Sequence, residues 1–491
     1  MNKSQPLVLG VDLSTQSCTV EARTAEDFHL VATAAVRLSR AVPPVSEQNP
    51  CEWYAALTKC LNQLRERGVN TREVCAVSIA GQCHGLVPLD STDAVIRPAK
   101  LWNDTTGAPA IRRLVDRLGR EYWVDRVQSV PKAAFTIAKL AFLIENEAST
   151  LHSLESILLP HDYLTFRITG KKITDRSEAS GTGYFDSVKN IYRFDVLREC
   201  FGDRLPWEQM FPRVLGPDAC AGFVTSQASD DLGIPEGTPV APGGGDQHLA
   251  AAGIGVADGD VCFSLGTSGV VFTSSSKPIL DKSGLVDGVA SATGGWLPLV
   301  CTLNCAQVTD KFAELMGVNV VELGKEALSA SINTSRPVFA AYLGGERSPD
   351  LPAARGLLSG LTNDTTRSEL ALSVFEGVIF GLLRGVEMMR SQNIALDGRA
   401  VVIGGGARSE AYRQLLADHL GRPVHTVDAP EATARGAALQ ALAIRRGVSL
   451  ADLRDNYLPD TTSETHPRMG AMSSLLQERY YEVCERSADL A

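Results

Sequence analysis

Apolar residues in this chain come in short, almost unbroken runs, and the two clearest runs are cut by turns of small polar residues. Leu7 to Val11 ends at Asp12 and passes through Leu13 into Ser14-Thr15-Gln16-Ser17; Val261-Cys262-Phe263-Ser264-Leu265 passes into Gly266-Thr267-Ser268-Gly269. Runs of this length predict buried strands, and the turns predict hairpins whose second strands start near Cys18 and Val270. Small residues let backbone N–H groups and hydroxyls approach an anion closely, so each turn is a candidate phosphate nest. Two such openings, half a chain apart, predict a duplicated fold that grips a polyphosphate from both sides.

Between and after these hairpins the periodicity alternates between strand and helix. Pro50 suits a first helical position ahead of an amphipathic run from Cys51 to Arg67. Ala76–Ala80 reads as a buried strand ending at Gly81, ahead of a functional loop, and Phe135–Glu147 as a helix. The strongest break is Ala241-Pro242-Gly243-Gly244-Gly245-Asp246, which predicts a boundary between domains 1–245 and 246–491. The pattern then restarts: a strand near Trp296–Leu303, a helix over Cys305–Leu315, a strand Arg399–Ile403 entering Gly404-Gly405-Gly406, a helix Ser409–Leu420 and a last helix Met469–Ala491. Glu376–Arg390 carries Gly377, Gly381 and Gly385 at four-residue spacing. Arg384, Glu387 and Arg390 interrupt it, so the stripe predicts close packing in a soluble helix rather than a membrane dimer. The expected class is α/β in two domains.

Composition narrows the function. A chain of 491 residues exceeds what one core serves, and 44% hydrophobic with 21% charged residues excludes disorder. A net charge of −10 without a basic stripe argues against a nucleic-acid partner, and no apolar stretch reaches the ~18 residues of a membrane span. Eleven cysteines without a C-x-x-C pair read as reduced thiols in a cytoplasmic protein. The start runs straight into a strand, so no secretory signal is expected.

One stretch is more specific. Tyr342-Leu343-Gly344-Gly345-Glu346-Arg347-Ser348-Pro349, continuing to Ala354-Arg355-Gly356, is similar to the Y-L-x-G-E-R-[ST]-P…A-R-G pattern of the FGGY carbohydrate kinases. Gly356–Leu361 and Glu369–Glu376 fit that family's C-terminal signature, and the resemblance runs from Leu7 to Gly447. On the sugar-facing half, Gly81–Val87, Leu101–Thr105, Leu159–Leu164 and Thr174–Thr182 look most like the xylulose-phosphorylating members. The resemblance implies two actin/hexokinase-like (ribonuclease H-like) domains facing a catalytic cleft. It also implies ATP and Mg²⁺ as cofactors, a small sugar as partner substrate, and a homodimer as a possible assembly.

Residue by residue, the resemblance makes Asp246 the general base, which would accept the attacking hydroxyl's proton; from spacing alone it could equally cap the helix that follows. Asp12 falls where the family holds Mg²⁺ through water, with an Asx-turn role as the bland alternative. Ser14, Thr15, Gln16 and Ser17 match the first phosphate loop, and Gly266 and Thr267 the second. Gly404, Gly405, Gly406, Ala407 and Ser409 match the adenosine motif, although a lone glycine run is usually a tight turn. Glu431–Ala438 reads as packing alone.

Gln82, Cys83, His84, Trp102, Asn103, Asp104 and Gln247 match substrate-side positions; a lone His in such a place is otherwise a structural hydrogen-bonder. Four positions depart from the family. Thr19 and Thr106 stand where cations are common, Cys83 where Met is usual, and Phe142 where Trp is common. The expected reaction is phosphorylation of D-xylulose at its terminal hydroxyl. Another ketose or polyol (ribulose, gluconate, glycerol), a catalytically weakened kinase, and a non-transferring actin-like nucleotide-binding protein stay open at this stage.

Overall fold

The computed structural model describes residues 5–468 and 474–490. Two sheets carry the architecture, and they share one strand plan. In the first, β1 (Leu7–Leu13) and β2 (Ser17–Thr24) form the predicted antiparallel hairpin, extended by β3 (Leu30–Arg37). On the other side of β1 lies β4 (Val74–Gly81), parallel to it, followed by β6 (Pro239–Val240) and the antiparallel edge β5 (Gly222–Phe223). A short strand β7 (Gly244–Gly245) also pairs with β4.

The second sheet repeats this order. β8 (Val261–Leu265), β9 (Gly269–Thr273) and β10 (Leu299–Thr302) are antiparallel; β11 (Ala400–Ile403) lies parallel to β8, then β12 (Val424–Val427) and the antiparallel edge β13 (Thr461–Thr465). The apolar runs that predicted buried strands form these central positions: Val8, Leu9, Val11, Val261 and Phe263 are buried.

Helices cover the sheets where the periodicity placed them. α1 (Pro50–Glu66) is capped by Asn49, whose side chain accepts from Cys51 N, and it buries Trp53, Leu57, Leu61 and Leu64. α2 (Thr136–Asn146) and the one-turn α3 (Arg176–Ala179) belong to a helical insertion in the first half. α4 (Asp246–Gly253) starts at the predicted break. The glycine-striped segment lies in the long α5 (Arg367–Ser391), where a Cβ on Gly377 would meet Phe339 O at 2.4 Å and one on Gly385 would meet Val300 at 3.1 Å. Here the stripe admits neighbours in the same fold, and among the described residues no helix is long and apolar enough to cross a membrane.

After β11, a short 3₁₀ turn over Gly405–Arg408 leads into α6 (Glu410–Leu420), capped by Ser409. The last helix is described from Ser474 to Asp489; the remainder of the predicted Met469–Ala491 span lies outside the described residues.

Chain order does not separate the two halves cleanly. α7 (Ala432–Arg446) lies in the chain between β12 and β13 of the second sheet yet packs on β1 and β4 of the first, with Ala437–Ala438 and Leu442 sharing a cluster with Val8, Ala76 and Leu249. Gln440 reaches across to donate to Gly243 O (3.0 Å) and to accept from Gly243 N (3.0 Å) and Ser78 Oγ (2.6 Å), fixing the glycine turn before Asp246.

Candidate active site

Parallel pairing gathers the proposed chemistry at one edge. Asp12 lies opposite Ala80, Leu13 opposite Gly81, and Gly245 also opposite Gly81. The ends of β1, β4 and β7 therefore deliver Asp12, Gln82-Cys83-His84 and Asp246-Gln247 to one place. This is the carboxyl edge of parallel strands, where α/β folds bind their ligands.

Asp246 opens α4, and its Oδ1 accepts from Gln247 N (2.7 Å) and from the Cys83 thiol (3.2 Å). Burial, with Glu178 nearby, pushes its carboxyl up to about 6 despite those donors. Asp12 is held well above the carboxylate range by burial and by the charges of Asp246 and Glu431, and its Oδ1 is buried without a hydrogen-bond partner. Converging carboxylates form an oxygen-rich site suited to a hard divalent ion.

The sugar-side residues separate into two groups. His84 adopts a left-handed φ of 63°, held by Glu178, which accepts its backbone N–H, by Thr136 Oγ1 donating to its carbonyl (3.2 Å) and by Phe135 stacked at 5.4 Å. A side chain at Gly181 would run into the His84 ring, 2.0 Å from Cε1. Strained backbone over-determined in this way is typical of a functional position. Trp102 donates through Nε1 to Thr15 Oγ1 (3.0 Å), and Asn103 Oδ1 accepts from Ser46 (2.7 Å).

Gln82 and Asp104 instead face into the protein. Gln82 is buried and accepts from Thr15 Oγ1 (2.9 Å). Asp104 is buried and takes up Ser46 N (2.9 Å), Thr106 N (3.0 Å) and Lys100 Nζ (3.2 Å). Its carboxylate shapes the Trp102-Asn103 turn from behind and has no acceptor left to offer a sugar.

Lys100 also alters the picture at Thr106. Its Nζ donates to Thr106 Oγ1 (2.9 Å), pairs with Glu47 (2.9 Å) and lies 4.1 Å from the centre of the Phe142 ring. The cation expected after Asp104 is thus supplied from four residues before it, and the aromatic at Phe142 serves as its face.

In the first turn expected to meet phosphate, Ser14 spends its hydroxyl on its own turn, accepting from Gln16 N (3.3 Å) and Ser17 N (3.1 Å), while Gln16 stays exposed. Thr19 is buried opposite Asp12, followed on the strand by Glu21, which pairs with Arg23 at 2.7 Å. The second turn is more open, with Thr267 and Ser268 exposed and Gly266 half-buried. Ser264 pairs with Ile403, which brings Gly404–Gly406 beside that turn. Gly404 has φ 84° and, like Gly406, lies against Leu265, whereas Gly405 is exposed with open space around it.

Glu178, Asp175, His161, Glu431 and Lys100 were not singled out from sequence. Glu178 lies in the Thr174–Thr182 stretch; burial opposes its charge, but His84, His161 and His248 hold its pKa low. Asp175 caps α3 beneath it, accepting from Ser177 N (2.6 Å) and Glu178 N (3.1 Å), and His161 stands 3.3 Å from Asp175. Burial works against the His161 charge, yet Asp162 and Asp175 raise its pKa to about 9. Glu431 precedes α7, where the pattern signalled packing alone. Lys100 carried no motif.

A duplicated α/β core, with Asp12 and Asp246 gathered at the strand ends of one sheet and a small-residue turn in each half, is the frame of a two-lobed phosphotransferase. Models of the FGGY family of carbohydrate kinases match residues 7–253 (N-terminal domain) and 261–444 (C-terminal domain), so the chain belongs to that family and is a carbohydrate kinase. It is 39% identical over 445 residues to xylulose kinase of Streptomyces coelicolor, covering 90% of this chain and 89% of that protein. It is 31% identical to xylulose kinase of Escherichia coli, covering 96% of this chain and 99% of that one. The crystal structure of xylulose kinase from Bifidobacterium adolescentis superposes with a TM-score of 0.87 at 33% identity, covering 97% and 99% of the two chains.

Proposed function

We propose that this kinase transfers the γ-phosphoryl group of ATP to the terminal hydroxyl of D-xylulose, giving xylulose 5-phosphate. The observation that carries the reading is the position of Asp246. It is a half-buried carboxylate of raised pKa, set between the sugar-side residues at the end of β4 and the unpartnered Asp12 at the end of β1. With a pKa of about 6 it is ionised at neutral pH and still basic enough to take the hydroxyl proton. Phosphoryl transfer asks little more of the protein than alignment and charge stabilisation.

His84, Cys83, Trp102, Asn103 and Gln247 bind and orient the sugar. The turns Ser14–Ser17 and Gly266–Thr267 receive the phosphates, and Gly404–Ala407 with Ser409 admits the adenosine. Asp12, with Asp246 and Glu431 beside it, would hold Mg²⁺; when bound, the ion screens the phosphate charge that Thr19 leaves unneutralised. The eleven free cysteines suit a reducing compartment, the cytoplasm.

The test is coupled ADP release over a panel of ketoses and polyols, with a no-sugar control. Turnover highest with D-xylulose is expected. Preference for ribulose, gluconate or glycerol would reassign the substrate, and ATP turnover indifferent to sugar would overturn sugar phosphorylation itself.

A further inference from the structure

A second, chemically different donor set overlaps the sugar-side residues. Cys83 Sγ, one nitrogen of His84 and a carboxylate oxygen of Glu178 lie within 4.8 Å of one another. His84 Nδ1 and Glu178 Oε2 are buried without hydrogen-bond partners, and the Glu178 side chain is fully buried. His84 Nδ1 stands 3.3 Å from Glu178 Oε1, and Cys83 Sγ stands 3.2 Å from Asp246 Oδ1. Gly245 keeps this corner open, because a Cβ there would fall 2.5 Å from Glu178 Oε2 and 2.6 Å from Cys83 Sγ.

We propose that Cys83, His84 and Glu178, joined by Asp246, form a site for a thiophilic divalent cation of the zinc class, separate in chemistry from the hard-cation position at Asp12. One thiolate, one imidazole and two carboxylates are the mixed donors such ions take at four-coordinate sites. Ligands about 2.0–2.3 Å from a tetrahedral ion sit roughly 3.5 Å apart, so the set closes on the ion with small side-chain movements. The Cys83 thiol gives its proton to solvent as the metal–sulfur bond forms. Mg²⁺, which takes oxygen ligands and sheds water reluctantly, has no use for the sulfur or the imidazole. Cys83, standing where the family has Met, is what creates the site. Its occupation ties up Asp246 and fills the sugar corner, so zinc inhibits by competing with the sugar. This competition, unlike the binding, rests on the sugar-side reading of Cys83 and His84.

Cobalt(II) is the probe, added to the full chain in excess Mg²⁺ without sugar or nucleotide. One equivalent is expected to give a sulfur-to-cobalt charge-transfer band that zinc bleaches. Cys83→Met is expected to abolish the band, and Glu178→Gln to weaken cobalt binding by at least about 10-fold, the smallest loss that even an outer-shell carboxylate gives. Replacing the exposed Cys51 and Cys220 together by Ser is expected to leave the band unchanged. No band in the wild type, or a band that survives Cys83→Met, overturns the site. Should Cys83→Met not fold, undiminished cobalt affinity in Glu178→Gln overturns it instead. D-Xylulose is expected to lower cobalt occupancy. An intact band that the sugar leaves untouched overturns the competition, while a band in a protein that phosphorylates no sugar leaves the site standing and overturns the proposed reaction.

Discussion

Asp246 owes its raised pKa first to burial and then to Glu178, opposed by the Cys83 thiol and the Gln247 N–H. A base must be ionised, so kcat/KM is expected to climb as pH rises through about 6 and then level. A pH–rate profile without that limb would remove Asp246 from the role. Asp246→Asn should keep sugar binding and lower kcat by about 10²–10⁴-fold, read by turnover beside a sugar titration.

Asp12 shows the stability side of the same physics. Its folded pKa lies above its unfolded value, so the folded state favours the protonated form. The stabilisation this gives is present at pH below the unfolded value and is lost as pH rises through the folded one. At pH 8 without divalent ions, Asp12→Asn is therefore expected to melt no lower than wild type. The variant should also lose the rise in Tm that Mg²⁺ gives the wild type. Both outcomes are read by calorimetry, and a Tm still raised by Mg²⁺ in the variant would place the ion elsewhere.

At the scale of elements, the turn 99–106 depends on one buried cation. Lys100 is 2% exposed and pairs with Asp104 and Glu47. Removing one partner of a buried pair costs about 3–5 kcal/mol because the other charge stays buried. Lys100→Met is expected to fall in that range by urea denaturation, and Lys100→Met with Asp104→Asn should recover part of it. A loss no larger in the single variant than in the double would dismiss the pairing.

The elements themselves were mostly legible. Helix Cys51–Arg67 is observed at Pro50–Glu66, and Phe135–Glu147 at Thr136–Asn146, because apolar spacing, a Pro at the first helical position and local caps are neighbours in sequence. The placement of Asp246 and Asp12 was legible because each stands where a strand gives way to a small-residue turn or a helix start. The surroundings of Lys100, Glu178 and Glu431 were not, since their partners are brought to them only by folding. The inward direction of Gln82 and Asp104 was equally hidden, because a motif fixes residue type and leaves open which side of a turn the side chain takes.

At the scale of the whole molecule, the two lobes are joined through close backbone contact along α7. A Cβ on Gly436 would fall 1.8 Å from Leu249 O, and one on Gly10 would fall 1.9 Å from Ala434 O. Gly436→Ala is therefore expected to cost about 3 kcal/mol or more, since overpacking against backbone cannot relax by rotamer change. Gly405→Ala is the matched control. Its Cβ meets nothing, so Tm should hold while KM for ATP rises if the glycine admits the nucleoside. Unchanged stability in Gly436→Ala would mean that α7 shifts freely on the first sheet.

The paired hairpins were written into the sequence: apolar runs must be buried, and small residues must turn, wherever they stand in a chain. So were the α/β class and the family's motifs, which are contiguous. The clean boundary expected near residue 245 was not decided at that level, because α7 leaves the second half to pack on the first sheet and Gln440 pins the turn before Asp246. Tertiary structure alone set the raised pKa of Asp246, the burial and charge balance around Asp12 and the meeting of Cys83, His84 and Glu178. Periodicity reports how a segment is buried. Electrostatics at a site depends on groups tens to hundreds of residues apart, and only the packed fold fixes their distances.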